Sequence, residues 1–128
     1  MARLGQLERT VMETLWDLAA ADPAATFTVR DVAPTLPDHA YTTIHTVLHR
    51  LAGKGFVVRI RDGKTHHYRP TGTRESYVTE LMQEALATTS DSDAALVHFV
   101  KTVPPNQARI LREVLSRLEG GSRDKPTP

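Results

Sequence analysis

Residues 39–71 read HAYTTIHTVLHRLAGKGFVVRIRDGKTHHYRPT, and this stretch decides the fold. Its first half repeats apolar side chains at helical spacing and then meets Gly53 and Gly55, either of which would end a helix. Two runs rich in β-branched and aromatic residues follow, FVVRIR and THHYR, with the tight-turn signal Asp62-Gly63 between them. The stretch therefore predicts one helix followed by a β-hairpin. The helical stripe consists of Ile44, Val47, Leu48 and Leu51.

Two further helices are predicted before this stretch. Residues 6–20 repeat apolar side chains with a period of about 3.6, which indicates an amphipathic helix, and Pro23 ends it. Phe27 is expected to be extended, and Thr28 with Asp31 resembles a capping box that opens a short second helix. Three helices and a hairpin in this order predict a winged helix-turn-helix domain over residues 1–72.

The remainder of the chain predicts a second, helical block. Residues 73–119 contain three short amphipathic helices, none of which is long enough to be stable alone. They need a partner to cover them, and a second copy of the chain is the favoured one. The expected fold is thus mainly α with a small β-hairpin: a winged helix-turn-helix domain plus a C-terminal helical dimerisation domain. Residues 120–128, GGSRDKPTP, are expected to form a disordered tail.

The charge of the chain is unevenly distributed, although the net charge is only +1. Residues 1–38 carry a net charge of −3 and residues 73–128 a net charge of −1, whereas residues 39–72 carry +5. Five of the six histidines lie in the same basic segment. A local excess of this kind is the expected mark of an anion-binding face, although a solvated surface patch is the simpler alternative.

The polar side of the predicted third helix suits a DNA groove. Short hydroxyls, flat imidazoles and one guanidinium can contact phosphates and base edges, and threonine methyls can contact thymine. The hairpin would add cations beside the adjacent phosphates, including Arg69. Double-stranded DNA is therefore the expected partner. The candidate DNA-binding residues are Thr42, Thr43, His45, Thr46, His49 and Arg50 on the helix, and Arg59, Arg61 and Lys64 on the hairpin.

Two other functions remain open at this stage. His45 and His49 have the i, i+4 spacing that can hold zinc, but no third ligand is obvious on that helix. Together with His98, they would make the chain a metal-responsive regulator. His66 and His67 are neighbours on a strand, so they point to opposite faces and cannot chelate one ion together. A winged helix can also serve as a protein-interaction adaptor, although such a face usually offers more apolar anchors.

The composition argues against several other classes. The chain has no Cys, and it lacks the motifs of nucleotide-binding, zinc-protease and serine-hydrolase sites, so neither an enzyme nor a cofactor is expected. No apolar run reaches about 18 residues, so no membrane insertion is expected. The N-terminal segment is amphipathic and carries acids, unlike a secretory leader. A cytoplasmic location is therefore expected.

Four segments resemble the penicillinase repressor family of bacterial transcription regulators, which includes the methicillin-resistance repressor and repressors of copper-transport operons. They are LGQLERTVMETLW, TVRDVAPTL, YTTIHTVLHRLAGKGFVVRIRDGKTHHYRPT and ALVHFV. The resemblance implies a homodimer that binds a palindromic operator in a promoter and represses transcription. It also implies DNA contacts on the helix and the hairpin, at Thr42, Thr43, His45, Thr46, Arg50, Arg61 and Lys64. The apolar residues expected in the dimer interface are Leu81, Val97, Val100, Leu111, Val114 and Leu118.

The resemblance also implies a route of inactivation. In the β-lactam-responsive members, a membrane-embedded zinc metalloprotease sensor, or its signal, leads to cleavage between an Asn and a Phe of the helical domain. The matching bond here joins His98 and Phe99, so this chain departs from the pattern at the first position. The copper-responsive members use a C-terminal cysteine motif, which a chain without Cys cannot supply.

Overall fold

The computed structural model describes residues 3–123, with side chains as far as residue 120. It is mainly helical with one antiparallel hairpin, which confirms the predicted fold class. The elements are α1 (Gln6–Ala21), α2 (Val29–Val32), a 3-10 turn (Ala33–Thr35), α3 (Tyr41–Gly53), β1 (Val57–Asp62), β2 (Thr65–Pro70), α4 (Arg74–Ala87), α5 (Ser92–Thr102) and α6 (Pro105–Arg123).

The chain divides into two compact units that meet between Glu84 and Ala85. This division falls within α4, twelve residues after the predicted end of the DNA-binding domain at residue 72. Aromatic packing accounts for the difference, because Tyr77 on α4 contacts the rings of Trp16 and Phe56 at centroid distances of 5.7 and 5.5 Å. The first part of α4 therefore belongs to the first unit.

Helix α1 supplies one side of the core of the first unit. Val11, Met12, Leu15 and Trp16 are buried there, as the helical spacing predicted. The Trp16 Nε1–H donates to the Gly72 carbonyl over 3.1 Å, which satisfies the one polar atom of that ring. The α1 surface thus fixes the segment that follows the hairpin as well as the helices.

The short helix α2 begins as predicted, with a capping box between Thr28 and Asp31. The Thr28 N–H donates to Asp31 Oδ2 over 2.8 Å, and the Thr28 hydroxyl donates to the same oxygen over 3.1 Å. The exposed Asp31 carboxylate therefore holds the start of α2.

Helix α3 buries its whole apolar stripe and stops at the predicted glycines. Ile44, Leu48 and Leu51 have no exposed surface. After Gly53 the chain adopts a positive φ of 84° at Gly55, where the Phe56 N–H donates to the Leu51 carbonyl over 3.0 Å. This Schellman arrangement needs a residue without Cβ and turns the chain directly into β1.

The hairpin has a two-residue turn at Gly63 and Lys64, since Asp62 still pairs with Thr65. Gly63 takes a φ of 63°, which a residue without Cβ adopts readily. Phe27 forms an isolated antiparallel bridge to Tyr68 on the outer side of β2, which confirms its predicted extended backbone. Tyr68 is 1% exposed, so it packs in the core, and burial raises the pKa of its phenol.

The second unit contains α5 and α6. The Asp91 carboxylate accepts the Ala94 N–H over 3.0 Å and caps α5, and α6 begins at Pro105. Helix α6 continues to Arg123, whereas a disordered tail was predicted from residue 120. The rest of that predicted tail, residues 124–128, lies outside the described residues.

Candidate nucleic-acid interface

The exposed side of α3 is polar and free of large aliphatic groups. Thr42, His45, Thr46 and His49 follow one another at spacings of three, one and three residues, so they share the side of the helix opposite the buried stripe. All four are exposed. No side chain caps the N-terminus of α3, which leaves the positive end of its dipole facing solvent.

Two of the predicted helix residues lie on the flank of this surface. Thr43 and Arg50 are two turns apart, and the helical repeat places both to one side of the central four residues. Thr43 is half-buried and Arg50 is exposed. The charge of Arg50 also acts on the Glu8 carboxylate and lowers the pKa of that group. Arg50 is therefore at the edge of the polar surface, near α1.

The hydroxyl of Thr46 is already engaged. It donates to the carbonyl of Thr42, one turn earlier, over 2.9 Å. This bond uses its only proton, so Thr46 can offer an external ligand only its methyl group and an acceptor lone pair.

The strand register places the hairpin cations on two different faces. Arg59 pairs with Tyr68 and Arg61 with His66, so these residues lie on the face that also carries buried Val57. Asp62, the one acid of residues 39–71, points to the opposite face. Arg69 pairs with Val58 on that opposite face, so it does not join the cations beside α3 as the sequence suggested.

Arg59 links the hairpin to the exposed side of α3. Its Nη1 lies 2.7 Å from Nδ1 of His49. At the tip of the hairpin, Arg61 Nε donates to the Gly63 carbonyl over 3.0 Å, which fixes the guanidinium beside the turn, next to exposed Lys64. Of the predicted cations, Arg59 and Arg61 thus lie on one face of the hairpin, and Lys64 lies at its tip.

A groove of about 460 Å³ lies between the start of α2, the exposed side of α3 and the hairpin tip. Predicted residues His45 and Lys64 line it, together with Arg30, Tyr41 and His66, which were not among the predicted contacts. The sequence could have indicated His66 as a groove residue, because His66 lies in the basic segment. No feature of the sequence indicated Arg30, because Arg30 reaches the groove only through the turn between α2 and α3.

The electrostatics of His66 show that positive charge is concentrated here. Partial burial lowers the pKa of His66, and the positive fields of Arg59 and Arg61 lower it further. His67, its neighbour, also lines the groove, and its Nδ1 lies 3.3 Å from the Thr26 hydroxyl. The groove therefore disfavours another cation and favours an anion.

A metal site does not form among these histidines. Within the described part of the chain, no group of three or more His, Cys, Asp or Glu side chains is placed to hold a metal ion. His45 and His49 thus remain a pair without the third ligand that zinc sites in proteins require.

Within the residues that the structure describes, no helix is both long and apolar enough to cross a membrane.

Five of the six predicted dimer residues are exposed in the second unit. Leu81 differs, because it is partly buried against the core of the first unit. The five exposed dimer residues are Val97, Val100, Leu111, Val114 and Leu118.

His98 and Phe99, the residues of the cleavage bond implied by the family resemblance, are exposed within α5.

Three helices followed by a hairpin, with a polar face on the third helix, define a winged helix-turn-helix unit. Comparison with known proteins identifies the family, because the sequence model of the penicillinase repressor family matches residues 4–117. The chain belongs to the penicillinase repressor family, as the sequence resemblance indicated.

Two curated relatives agree with this assignment. Both are named transcriptional regulator BlaI, one from Mycobacterium tuberculosis strain CDC 1551 / Oshkosh and the other from strain ATCC 25618 / H37Rv. Each is 43% identical to this chain over 129 residues, which cover 98% of this chain and 92% of the relative. The relatives are named as regulators of transcription and not as enzymes.

Proposed function

We propose that this chain is a sequence-specific transcriptional repressor that binds a palindromic promoter operator as a homodimer. The observation that carries the proposal is the shared surface of α3 and the hairpin. The groove between them brings His45, Lys64 and His66 together with Arg30, while the core residues of α3 point away. Family membership supports the same conclusion.

The two parts of this surface suit two kinds of DNA contact. The exposed side of α3 carries Thr42, His45 and Thr46, which are short enough for the helix to enter a major groove and approach base edges. Arg61 and Lys64 at the hairpin tip would reach phosphates of the adjacent backbone. Phosphate contacts would supply most of the affinity, and base contacts would supply the sequence preference.

The second unit would supply the dimer contacts. Helix α6 exposes an apolar stripe in the single chain, and Leu115 and Leu118 in it are 56% and 66% exposed. Apolar surface of this extent on a helix is unfavourable in water and favours burial against a matching face. A two-fold dimer would present two α3 helices to half-sites one DNA turn apart, roughly 34–36 Å, or a multiple of it.

The family assignment also suggests how repression would end. We infer that the repressor is inactivated by proteolysis in its helical unit when a β-lactam or cell-envelope signal activates a membrane metalloprotease sensor or a protease under its control. The His98–Phe99 bond is the candidate site, and both side chains are exposed. Because the bond lies inside α5, the helix must open locally before a protease can bind the backbone.

In vitro selection of DNA from a random pool, followed by sedimentation of the complex, tests the proposal. A repressor of this kind should enrich a two-fold symmetric site and bind it as two chains per duplex. Recovery of unenriched DNA, with affinity that depends only on salt, would contradict it. The protein-interaction adaptor would then be the better assignment.

A further inference from the structure

The contact between His49 and Arg59 fixes the proton on the imidazole ring. Arg59 Nη1 lies 2.7 Å from His49 Nδ1, and a guanidinium can donate hydrogen bonds but cannot accept them. Nδ1 must therefore be the acceptor and carry no proton. The ring in this contact is neutral, with its hydrogen on Nε2.

The free N–H of His49 has room to meet a ligand. His49 is one of the four residues at the centre of the exposed side of α3, and Nε2 is on the ring edge remote from the nitrogen that Arg59 holds. The open groove beside the pair, about 290 Å³, is also lined by Ala52, Gly53 and Val57, of which the first two have little or no side chain. A hydrogen-bond acceptor can therefore approach the ring.

We propose that Arg59 is a positioning residue that sets the tautomer of His49, and that His49 Nε2–H is a specificity-determining donor to a base edge in the major groove. The inference rests on the proposed function, because it requires α3 to lie in that groove. It goes beyond a general contribution of the two side chains to DNA affinity.

The chemistry of the base edges defines the preference. In the major groove guanine offers N7 and O6 as acceptors, adenine offers N7 and thymine offers O4, whereas cytosine presents the N4 amino donor. A nitrogen that can only donate is matched by the first three edges and mismatched by cytosine. The pair should therefore exclude cytosine at the contacted position, with guanine favoured because it presents two acceptors.

Two substitutions of His49 distinguish the roles of its two ring nitrogens, Nδ1 and Nε2. The Asn side chain of His49→Asn places an acceptor near the position of Nδ1 and has no group near Nε2, so it keeps the Arg59 contact and loses the donor. The Gln side chain of His49→Gln places an amide N–H near Nε2 and loses the Nδ1 acceptor. Arg59→Met removes the positioning guanidinium and leaves His49 in place. All three changes are at exposed positions, and thermal melting would verify folding.

The readout is the ratio of affinities for two operators that differ only by guanine or cytosine at the contacted base pair. This ratio is insensitive to phosphate charge, which affects both sites equally. We expect His49→Asn to reduce the ratio by roughly two- to tenfold. The affinity ratio of His49→Gln should be closer to the wild-type ratio than that of His49→Asn. Arg59→Met should lower the ratio below the wild-type value.

Nitrogen NMR of the protein without DNA gives an independent readout. The His49 ring should show the Nε2–H tautomer in wild type and a mixture of tautomers in Arg59→Met. If wild type selects a symmetric site, but His49→Asn keeps the same base preference and Arg59→Met leaves the tautomer unchanged, the inference is wrong and the proposed function stands. If wild type selects no site, the proposed function itself is wrong.

Discussion

At the scale of single residues, the position of Arg50 on α3 predicts which kind of DNA contact it would make. It lies on the flank of the exposed side with Thr43, outside the central group that includes His49. We therefore expect a phosphate contact. Arg50→Ala should weaken binding to the operator and to unrelated DNA by similar factors, and it should reduce the salt slope by about 1. Titrations at several salt concentrations would measure both effects.

A loss confined to one base pair would assign Arg50 a different role. In that case the guanidinium would contact a base edge, and the cost at that position would be about 1–3 kcal/mol. Arg117→Ala is a matched control, because Arg117 is an exposed cation of α6 in the other unit.

His66 should make DNA binding depend on pH. In the free protein, partial burial and the positive fields of Arg59 and Arg61 lower its pKa. Phosphates would oppose these fields, so the pKa of His66 should be higher in the complex than in the free protein. The complex then holds more protons, and affinity should rise as pH falls from about 7.5 to 5.5.

Affinity measured across this pH range would check the expectation. His66→Gln should reduce the pH dependence. His98→Gln is the control, because His98 is an exposed histidine of α5 in the other unit. Equal pH dependence in wild type and His66→Gln would show that His66 is remote from the phosphates.

At the scale of elements, an ion pair joins the start of α1 to the end of α3. Glu8 is 4% exposed, and its Oε1 accepts from Lys54 Nζ and from the Gly5 N–H, each over 2.7 Å. Burial raises the pKa of Glu8, but the hydrogen bonds from Lys54 and Gly5 and the attraction of Lys54 and Arg50 outweigh it. The pKa of Glu8 is therefore below its ordinary value of 4.5.

The sign of this shift predicts a loss of stability in acid. A carboxyl whose pKa is lower in the folded protein contributes stability that is complete above pH 4.5 and is lost as pH falls through the folded pKa. At neutral pH, Glu8→Gln should lower the free energy of unfolding by about 1–3 kcal/mol, because the Lys54 ammonium loses its charged partner. Urea unfolding at neutral and acid pH would show this.

The difference between Glu8→Gln and wild type should shrink in acid, where Glu8 itself becomes neutral. Glu119→Gln, an exposed substitution on α6, should follow the wild-type pH profile. A constant difference at all pH values would indicate that Gln disturbs the packing and that the ionised carboxylate is not the stabilising form.

The two faces of the hairpin provide a matched pair of substitutions. Arg61 lies on the face toward α3, and Arg69 lies on the opposite face. Arg61→Gln should reduce the salt slope of DNA binding by about 1, since one phosphate contact is lost. Arg69→Gln removes the same charge and should leave the slope near the wild-type value. Equal effects would mean that net charge matters and that the face of the hairpin does not.

At the scale of the whole molecule, operator affinity should depend on the dimer. Leu118 lies in the exposed apolar stripe of α6, whereas Ser116 lies on the other side of that helix. Leu118→Asp should convert the protein to monomers and weaken operator binding by roughly 100-fold or more, because two linked half-site contacts reinforce each other. Sedimentation and DNA titration of the same sample would measure both properties.

Ser116→Asp adds the same charge to the same helix and should leave dimerisation and binding unchanged. A monomeric Leu118→Asp protein that binds the operator as tightly as wild type would show that one winged-helix unit is sufficient. The dimer would then have another role.

Local patterns explain why much of the first unit was predictable. The stripe from Ile44 to Leu51, the stop at Gly55 and the turn at Gly63 depend on side-chain spacing and on a backbone conformation that glycine adopts readily. Each of these signals lies within a few residues of its effect. The order of helices and hairpin therefore follows directly from the sequence.

The family resemblance added the expected palindromic operator and the proteolytic switch, which no local pattern contains. Matches over residues 4–117 support the family, but they do not test the individual contacts. The predicted DNA contacts of Thr42 or Lys64, and the dimer contacts of Val97, therefore stay predictions. The structure shows only that these side chains are exposed and where they lie.

The sequence by itself thus determined the winged-helix order, the end of α3 and the concentration of cations in residues 39–71. Only the tertiary structure decided which cations share a surface. It placed Arg59 on His49, brought Arg30 to the groove and turned Arg69 away. It also assigned the first part of α4 to the first unit through Tyr77. The reason is physical: these relations depend on strand register and on packing between residues that are distant in the chain, and side-chain spacing along one element does not specify either.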